Sequence, residues 1–445
     1  MIAVTSPGFV LFAALLAGLW YACPPPRRWQ LLLGANLLFY AVLCPAALPV
    51  LAGSSFLVWW CGRRTAKKPV FLAGLAAALL PLALLKYLPA ALGWQGTLAN
   101  ALGIGYFTLQ LVSYLCDVRR GRILPEEKYA RLLCYAAFFL SITQGPFNRY
   151  DALMPQLDRP TVWDTDRVWR GVQRSAWGYF KKLAVADRAA VVVDTVFANP
   201  AAFDRTQLLL GGVLFTVQLY ADFSGYTDIV LGVGEVLGLH LPENFRQPFF
   251  ADSVKDIWAR WHISLSQWLR DYIYIPLGGS RQGLPRTICN LLVVWLLTGI
   301  WHGSTWNFLL WGLFLFCLIA LEKLGLGRVL DRHRFLSRIY MLLVIPLSWL
   351  LFAVPDLPQI GVYFSRLFPF FGDGIAVNPS DFIRYGKQYG LFLLLGFLLS
   401  SPWPERIWNR VRASALGTVL CLLLFWGAVY CMAVATNDPF LYFSF

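Results

Sequence analysis

The sequence predicts an all-α protein that crosses the membrane many times. Of its 445 residues, 58% are hydrophobic and only 14% are charged, and the mean hydropathy is +0.57. A soluble chain carries about a quarter charged residues, and a core of this size could not hide so much apolar surface from water. A water-soluble protein is therefore excluded. We predict one membrane-embedded domain covering residues 1–445, with roughly ten or more helices of unequal length.

The charged residues have the arrangement typical of a polytopic membrane protein. The chain has 38 Lys and Arg against 24 Asp and Glu, a net charge of +14, but the basic residues occur in short clusters between apolar runs. Such clusters orient helices in a bilayer, whereas nucleic-acid binding needs an extended basic face. We therefore expect the lipid bilayer as a partner and no nucleic acid.

The basic clusters also predict a topology. No basic residue precedes the first apolar run, Phe9 to Cys23, so this run is typical of a membrane anchor and not of a cleavable signal peptide. If the clusters at 27–28 and 63–68 both face the cytosol, the N-terminus lies outside. The same count places the block Arg149–Arg188, rich in Arg and Trp, at the cytosolic interface and the C-terminal tail outside.

The apolar runs follow one another along the chain. Five of them precede the basic residues at 119–122: Phe9–Cys23, Trp29–Leu48, a run ending at Arg63, Val70–Leu88 and Leu102–Cys116. The next, Leu132 to Gly145, would form only about 21 Å of helix, short of the roughly 30 Å hydrocarbon core, so we expect a re-entrant or interfacial segment. Later runs are Ala189–Phe197, Leu208–Leu237, Ile288–Leu321, Ile339–Val354, Leu391–Leu399 and Leu416–Ala435.

One histidine lies in the middle of a long uncharged stretch. Between Arg286 and Glu322 there is no Asp, Glu, Lys or Arg, and His302 stands almost at the midpoint. Because both flanks are basic and prefer the cytosol, we predict a hairpin that breaks between Gly299 and Gly303, with arms of about 15 residues. The turn would then stop below the outer surface. Ionisable groups inside a membrane are rare and usually functional, although a histidine bonded to a neighbouring carbonyl is the other interpretation.

A second histidine is predicted to point into the protein. Helical spacing over Lys255–Tyr272 places His262 with Trp258 and Leu269 on the apolar side. Alone, His262 could be an interfacial histidine of an amphipathic helix. Two inward histidines, one reached from the cytosol and one from outside, favour a reaction channel through the membrane.

Carboxylates occur inside an otherwise apolar run near residue 225. They are Asp222 and Asp228, with Tyr226 between them. A charged side chain at that depth costs about 2.5 to 3.5 kcal/mol on insertion scales, so each carboxylate needs a partner. We expect a structural polar network here.

No metal or bound cofactor is predicted. None of the nine cysteines forms a Cys-x-x-Cys pair, and the four histidines lack the spacing of a helical zinc site. The sequence also contains no nucleophile elbow, phosphate-binding glycine loop or Rossmann fingerprint.

Several short motifs between about residues 100 and 312 are more specific. They are GYFTLQ from Gly105, QGP from Gln144, FKK from Phe180, DFSGY from Asp222, LPENF from Leu241, RWHISLS from Arg260 and GIWHG from Gly299. In these motifs the chain resembles the membrane-bound O-acyltransferase (MBOAT) family, and within it the bacterial branch of alginate O-acetyltransferase type. Ala259 and Thr143 depart from the residues that are common there.

The resemblance implies a fold, a location and site residues. We expect a helical bundle with short, tilted and re-entrant helices in the inner membrane of a bacterium. His302 would be the active-site histidine and His262 the second signature position. A desolvated imidazole suits a general base that takes a hydroxyl proton. The candidates to line the substrate channel are Trp258, Trp261, Trp301, Trp306 and Asn307. Acyl transfer also needs a donor to the oxyanion, and the candidates are the backbone N–H groups at the Gly299–Gly303 break and the indole N–H of Trp301 or Trp306.

The resemblance also implies substrates and partners. The donor would be a cytosolic acyl thioester, acetyl-CoA or an acyl carrier protein, acting as a co-substrate. The acceptor would be an extracellular polysaccharide such as alginate, reached through an extracellular or periplasmic acyltransferase. In systems of this kind the tyrosine of the aromatic C-terminus, here Tyr442, is proposed to accept the acyl group, whereas composition alone favours an aromatic belt at the outer interface.

Two other functions remain open from the sequence. One is transfer of D-alanyl or acyl groups from a carrier protein to teichoic acid or peptidoglycan. The other is transport without a covalent step. Transporters often have inverted repeats, whereas here the polar residues concentrate between Asp222 and Asn307, which favours an enzyme.

Overall fold

The computed structural model describes residues 4–92, 103–368 and 380–434. Within these ranges the chain is helical, with one isolated β-bridge between Phe245 and Trp261 and no β-strand. The chain divides into two compact units, Met1–Ser175 with Tyr226–Glu243 and Ala176–Gly225 with Asn244–Phe445. The single domain over residues 1–445 stays a prediction.

The first unit begins with apolar helices that correspond to the predicted runs. Each predicted run before residue 119 contains an α-helix among the described residues, although the second run ends its helix at Leu43 and Leu102 lies outside the described residues. A π-helical turn, Ala83–Tyr87, continues the fourth helix. The helices are α1 (Pro7–Ala22), α2 (Arg28–Leu43), α3 (Leu48–Gly62), α4 (Lys68–Leu82), α5 (Leu88–Ala91), α6 (Ile104–Arg119), α7 (Tyr129–Ala136), α8 (Tyr150–Leu157) and most of α9 (Thr165–Tyr179).

The second unit contains the remaining helices. A π-helical turn, Phe180–Ala186, joins α9 to the next helix, and the last residues of the long helix α11, from Tyr226 onward, belong to the first unit. The helices are α10 (Asp187–Ala198), α11 (Arg205–Leu237), α12 (Val254–Arg260), α13 (Ile263–Leu269), α14 (Gly283–His302), α15 (Trp306–Leu321), α16 (Gly327–Arg332), α17 (Arg334–Ala353), α18 (Leu357–Leu367), α19 (Asp381–Ser400), α20 (Trp403–Val411) and α21 (Ala415–Ala433).

Seven helical segments among the described residues are long and apolar enough to cross a bilayer. This finding supports an all-α integral membrane protein. The side of the membrane on which each loop lies stays a prediction. The segments are Pro45–Gly62, Lys68–Tyr87, Arg205–Leu237, Gly283–His302, Trp306–Arg332, Arg334–Ala353 and Ala415–Ala433.

The segment predicted to be too short to span contains little helix. Helix α7 ends at Ala136, and every residue from Leu132 to Asn148 is buried. The irregular part satisfies its own polar groups, because Asn148 Nδ2 donates to Ser141 Oγ at 2.7 Å and Ser141 Oγ donates to the carbonyl oxygen of Pro146 at 2.9 Å. Irregular backbone is tolerated at membrane depth only where protein covers it.

The hairpin around His302 forms, but its dimensions differ from the prediction. Helix α14 ends at His302 and α15 begins at Trp306, so the break follows His302. Gly299 lies inside α14, where a Cβ atom would stand 2.5 Å from the carbonyl oxygen of Phe308. Its role is close helix packing. Helix α15 has 16 residues, close to the predicted arm of about 15, whereas α14 has 20 residues, or about 30 Å, and is longer than predicted. The length of α14 therefore does not support a submerged turn.

Candidate active site

The helix predicted over Lys255–Tyr272 is interrupted at His262. Helix α12 ends at Arg260, α13 begins at Ile263, and a π-helical turn follows at Arg270–Tyr274. His262 has φ 44° and ψ 51°, the left-handed region, which costs a residue with a Cβ atom about 1–2 kcal/mol. The continuous helix was therefore a wrong prediction. Strained backbone of this kind is common at functional sites.

The backbone and side chain of Asn244 hold this break in place. Asn244 is completely buried, and its backbone carbonyl oxygen accepts the N–H of Ile263 at 3.1 Å. Its Oδ1 accepts both the backbone N–H and the hydroxyl of Ser264, at 3.1 and 2.6 Å. These bonds satisfy donors in the first turn of α13 that the helix leaves unpaired. Asn244 thus offsets the strain at His262.

The inward orientation predicted for His262 is confirmed. The residue is only 2% exposed, and its ring stands at 83° to that of Phe223 with 4.8 Å between centroids. His262 lies outside the seven candidate spans. Burial lowers its pKa to about 3, since desolvation disfavours the imidazolium form. At physiological pH the ring is therefore neutral.

His302 lies at the end of α14 within an aromatic cage. Its ring centroid is 5.1 Å from that of Trp311, 5.3 Å from that of Phe352 and 6.5 Å from that of Phe308. The first two contacts are perpendicular. His302 is nevertheless partly exposed, unlike His262. An incoming group can therefore reach it.

Trp301 lies against both histidines. Its ring centroid is 4.9 Å from that of His302 and 6.4 Å from that of His262. The two imidazole rings can be no further apart than the sum of these distances. The structure thus brings together two histidines that are 40 positions apart in the sequence, as a single substrate-sized site requires.

Two of the predicted channel residues belong to the tryptophan cluster behind this pair. Trp258 packs on Trp311 at 5.6 Å and on Trp349 at 6.0 Å, and Trp261 packs on Trp349 at 4.9 Å. Among the described residues, Trp258, Trp311 and Trp349 have buried indole N–H groups without an acceptor. A buried donor without a partner costs about 1–3 kcal/mol.

The other two channel candidates are placed differently. Trp306 is 69% exposed, at the start of α15, so it does not join the buried cluster. Asn307 is buried, and both ends of its amide are hydrogen-bonded: Nδ2 donates to the carbonyl oxygen of Phe352 at 2.9 Å and Oδ1 accepts the hydroxyl of Thr305 at 2.5 Å. Asn307 therefore fixes the turn that follows His302, a positioning role.

The carboxylates near residue 225 have basic partners, but they belong to two separate groups. In the second unit Asp222 and Asp187 each lie 2.6 Å from the Nζ of Lys182. Burial disfavours the charge of Lys182, but the two carboxylates outweigh it and raise the pKa above its usual value. Asp222 directly precedes Phe223, the ring that contacts His262, so this ion pair helps to position that ring.

The second group lies in the first unit. Asp228 accepts from Arg174 at 3.0 Å, and Arg174 also makes a bidentate contact with Glu243 at 2.7 and 2.6 Å. Tyr226, the third member of the predicted network, is buried in the same unit. Among the described residues no group of three His, Cys, Asp or Glu side chains could hold a metal ion.

Comparison with known proteins assigns the family. The model of the membrane-bound O-acyltransferase family matches residues 75–365. The chain belongs to this family. It is 30% identical to a Pseudomonas putida protein named probable alginate O-acetylase, over 98% of both chains. It is also 30% identical to the peptidoglycan O-acetyltransferase of Helicobacter pylori, over 94% of the chain and 92% of the relative.

A more distant relative transfers another acyl group. The chain is 28% identical to the teichoic acid D-alanyltransferase of Bacillus subtilis, over 55% of the chain and 66% of the relative. The protein is thus an integral membrane O-acyltransferase, and the transporter interpretation is set aside. The family assignment confirms the predicted enzyme class, an O-acyltransferase.

Sequence reasoning missed three residues that shape the site. Asn244 and Lys182 lie in motifs that were noted for their resemblance, but their partners, Ser264 and Asp222, are distant in sequence. Trp311 follows Asn307 by about one helical turn, so its position on the His302 side of α15 could have been found from helical periodicity.

The buried state of His262 predicts an acid-sensitive fold. Below pH 6.5 the unfolded chain binds a proton at His262, whereas the folded chain does so only near pH 3, so stability falls as pH is lowered through this window. We expect His262→Gln, which cannot titrate, to lose less thermal stability than the parent between pH 7 and pH 4.5. Melting temperatures in detergent at the two pH values measure this. An equal loss in both proteins would show that His262 is protonated in the folded state.

Proposed function

We propose that this acyltransferase passes an acetyl group from a cytosolic acetyl-CoA toward O-acetylation of an extracellular polysaccharide such as alginate. It would do so in the inner membrane of a bacterium, with both chain termini outside and with an extracellular or periplasmic acyltransferase as partner. The observation that carries the proposal is the pair of histidines in contact with one tryptophan, Trp301. The near full-length similarity to a protein named for alginate O-acetylation supports the acceptor class.

In the proposed reaction His302 is the general base. Its imidazole takes the proton from an acceptor hydroxyl as the oxygen attacks the thioester carbonyl. The tetrahedral intermediate collapses with loss of the thiolate, which receives the proton from the imidazolium. The aromatic cage around His302 keeps water away from the thioester and so limits hydrolysis.

Trp311 is the best-placed donor to the oxyanion of this intermediate. Its ring lies perpendicular to that of His302, and its buried N–H has no acceptor among the described residues. A preorganised donor of this kind stabilises charge that develops only in the transition state. The backbone N–H of Gly303, in the turn, donates to the carbonyl oxygen of Gly299 and is already used.

Tyr442 is the proposed relay between donor and final acceptor. It lies outside the described residues, so its support is the sequence alone. In the first step its hydroxyl would take the acetyl group with His302 as base. In the second, the aryl ester would pass the acetyl group to a hydroxyl of the partner or the polymer, since an ester of a phenol with pKa near 10 is activated.

A different acceptor has support of its own. The relative from Helicobacter pylori is named for peptidoglycan O-acetylation and matches over almost the same length. A carrier protein as donor is the corresponding alternative to acetyl-CoA, and the D-alanyltransferase relative matches only about half of the chain. We therefore rank a carrier-protein donor below acetyl-CoA.

Replacement of His302 tests the proposed base. We expect His302→Ala to lower transfer of labelled acetyl from acetyl-CoA by roughly a hundredfold or more, the usual contribution of a general base. The assay uses protein reconstituted in vesicles and adjusted to equal amounts of folded protein. His333→Ala, at an exposed histidine, is the matched control and should keep the parent rate. A His302→Ala variant with normal turnover would overturn the assignment.

Replacement of Trp311 tests the proposed oxyanion donor. Trp311→Phe keeps an aromatic ring against His302 and deletes only the N–H, so we expect kcat to fall by about a hundredfold with little change in KM. Trp258→Phe and Trp349→Phe delete the other two buried N–H groups. Equal losses in all three variants would indicate packing and would contradict a specific donor at His302.

Replacement of Tyr442 tests the relay. Tyr442→Phe keeps an aromatic tail but removes the acceptor hydroxyl, so polysaccharide acetylation should be lost at normal protein level. In the parent, mass spectrometry of the C-terminal peptide should detect an acetyl-tyrosine after incubation with acetyl-CoA. Unchanged acetylation of the polymer by the variant would leave the tail as an anchor only.

A further inference from the structure

The first unit contains a basic cavity that the proposed mechanism does not use. Its volume is about 550 Å³, and all of its lining residues belong to this unit. The walls come from the end of α8, from the loop that leads to the first turn of α9, and from the turn that follows α11. A volume of this size is typical of sites for small ligand groups.

Positive charge predominates at the cavity. Arg159, Arg167 and His240 line it, and Asp164 is the one carboxylate among the lining residues. Asp164 already accepts the backbone N–H of Arg167 at 3.0 Å. Two guanidinium groups and an imidazole therefore face a single carboxylate. This balance favours an anion, and the planar guanidinium groups match the oxygens of a phosphate.

The side chain of Arg167 is held by its neighbours but keeps one unused donor. Its Nη2 donates to the carbonyl oxygen of Val162 at 2.6 Å and to the hydroxyl of Tyr21 at 3.0 Å. Its Nε is buried without an acceptor among the described residues. An anionic oxygen in the cavity would satisfy a donor that is otherwise desolvated at a cost.

The cavity walls are fixed by hydrogen bonds between distant segments. Gln156 Oε1 accepts the N–H of His240 at 2.7 Å, and Gln156 Nε2 donates to the carbonyl oxygen of His240 at 3.1 Å. Elsewhere in the wall, Arg28 Nη1 donates to the carbonyl oxygen of Thr161 at 2.7 Å. A ligand would thus meet a preformed site, which lowers the entropy lost on binding.

The cavity lies beside the C-terminal end of the apolar helix α1. Tyr21, in the last turn of α1, contacts Arg167 and donates its hydroxyl to the carbonyl oxygen of Val236 at 2.6 Å. Its ring lies 4.9 Å from that of Trp163, which is 55% exposed. The first basic cluster, residues 27–28, follows α1 directly. An exposed tryptophan between an apolar helix and basic residues is typical of the membrane–water interface.

An exposed apolar strip of α1 leads away from the cavity. At 100° per residue, Val10, Ala14 and Gly18 lie within about 60° of Tyr21 around the helix axis. All three are exposed, and α1 contains no charged residue. From Val10 to Tyr21 the strip is about 16 Å long, close to half of a hydrocarbon core of roughly 30 Å. It therefore has the polarity and the length to contact the acyl chain of a lipid in one leaflet.

We propose that this cavity binds the phosphate head group of an anionic phospholipid, with an acyl chain along the Val10–Tyr21 strip of α1. The phosphodiester lies against the guanidinium groups of Arg159 and Arg167, and its charge is matched by the positive excess of the lining residues. Basic pockets beside membrane helices recognise anionic head groups by this chemistry. The strip favours a lipid over free phosphate, because inorganic phosphate has no apolar part to place there.

The double variant Arg159→Gln and His240→Gln tests the head-group site. Both side chains are exposed, so their replacement leaves the hydrogen bonds of Gln156 and Arg167 intact. Native mass spectrometry of protein in neutral detergent measures the bound lipid. We expect phosphatidylglycerol to bind the parent and to bind the variant about tenfold more weakly or less. Lys67→Gln with Lys68→Gln, which removes two exposed charges of the same unit outside the cavity, is the control and should keep the parent affinity.

A glycine pair tests the acyl-chain strip. A Cβ atom at Gly18 or at the exposed Gly34 of α2 would meet no atom within 4 Å, so both positions accept a larger side chain. Gly18→Phe covers the strip and should weaken phosphatidylglycerol binding, whereas Gly34→Phe should not. Equal binding by these two variants would contradict the placement of the chain on α1.

Two further ligands decide the chemistry of the site. Phosphatidylcholine has the same phosphodiester and chains but no net charge, so it should bind the parent more weakly than phosphatidylglycerol does. Inorganic phosphate at equal concentration should not displace phosphatidylglycerol. Equal binding of the two lipids, or an equal loss in the double variant and the lysine control, would show nonspecific association and overturn the proposal. Displacement by inorganic phosphate would identify a site for the free anion and would overturn it as well.

Discussion

The amide of Asn244 is the constraint on which the site depends. Helical backbone would otherwise continue from α12 into α13, because the intervening residues have no glycine or proline to stop it. Asn244 supplies acceptors for Ile263 and Ser264 in their place, and the chain turns at His262. That turn carries the imidazole into the interior. Asn244 thus interrupts the amphipathic segment and allows the imidazole of His262 to lie in the interior.

Buried charges near the site are paired with charges of opposite sign. Lys182 is buried between Asp187 and Asp222, and neither carboxylate would be tolerated there alone. The ion pairs join the π-helical turn after α9 to α11, one residue before Phe223. Because Phe223 packs on His262, the charges stabilise the aromatic wall without taking part in the reaction. The rings of Trp311, Phe352 and Phe308 then form the cage around His302.

Much of the fold could be predicted from sequence, because hydropathy and basic clusters report directly on membrane helices. The hairpin around His302 was predicted from its uncharged surroundings and basic flanks. The break at His262 was not predicted. Helical periodicity reports only on residues within one segment, and Asn244 acts on this segment from 18 positions upstream. The partners of Asp222 and Asp228 were equally invisible, because Lys182 and Arg174 approach them through tertiary packing. Trp306 was predicted to line the channel from its place beside the family motif, but it is exposed at the start of α15. A motif identifies residues, whereas the orientation of each side chain depends on the helix that carries it.

The different surroundings of the two histidines favour different tasks. A general base must hold the proton it receives, and its efficiency falls when its pKa lies far below the working pH. With a pKa of about 3, the fully buried His262 is a poor proton acceptor but a good neutral ring for orienting a substrate group or Trp301. His302 is partly exposed at the end of α14, so a hydroxyl can reach it and the proton can leave. The proposed exchange of protons therefore fits the surroundings of His302, and the left-handed backbone at His262 fits the placement of a rigid neutral ring.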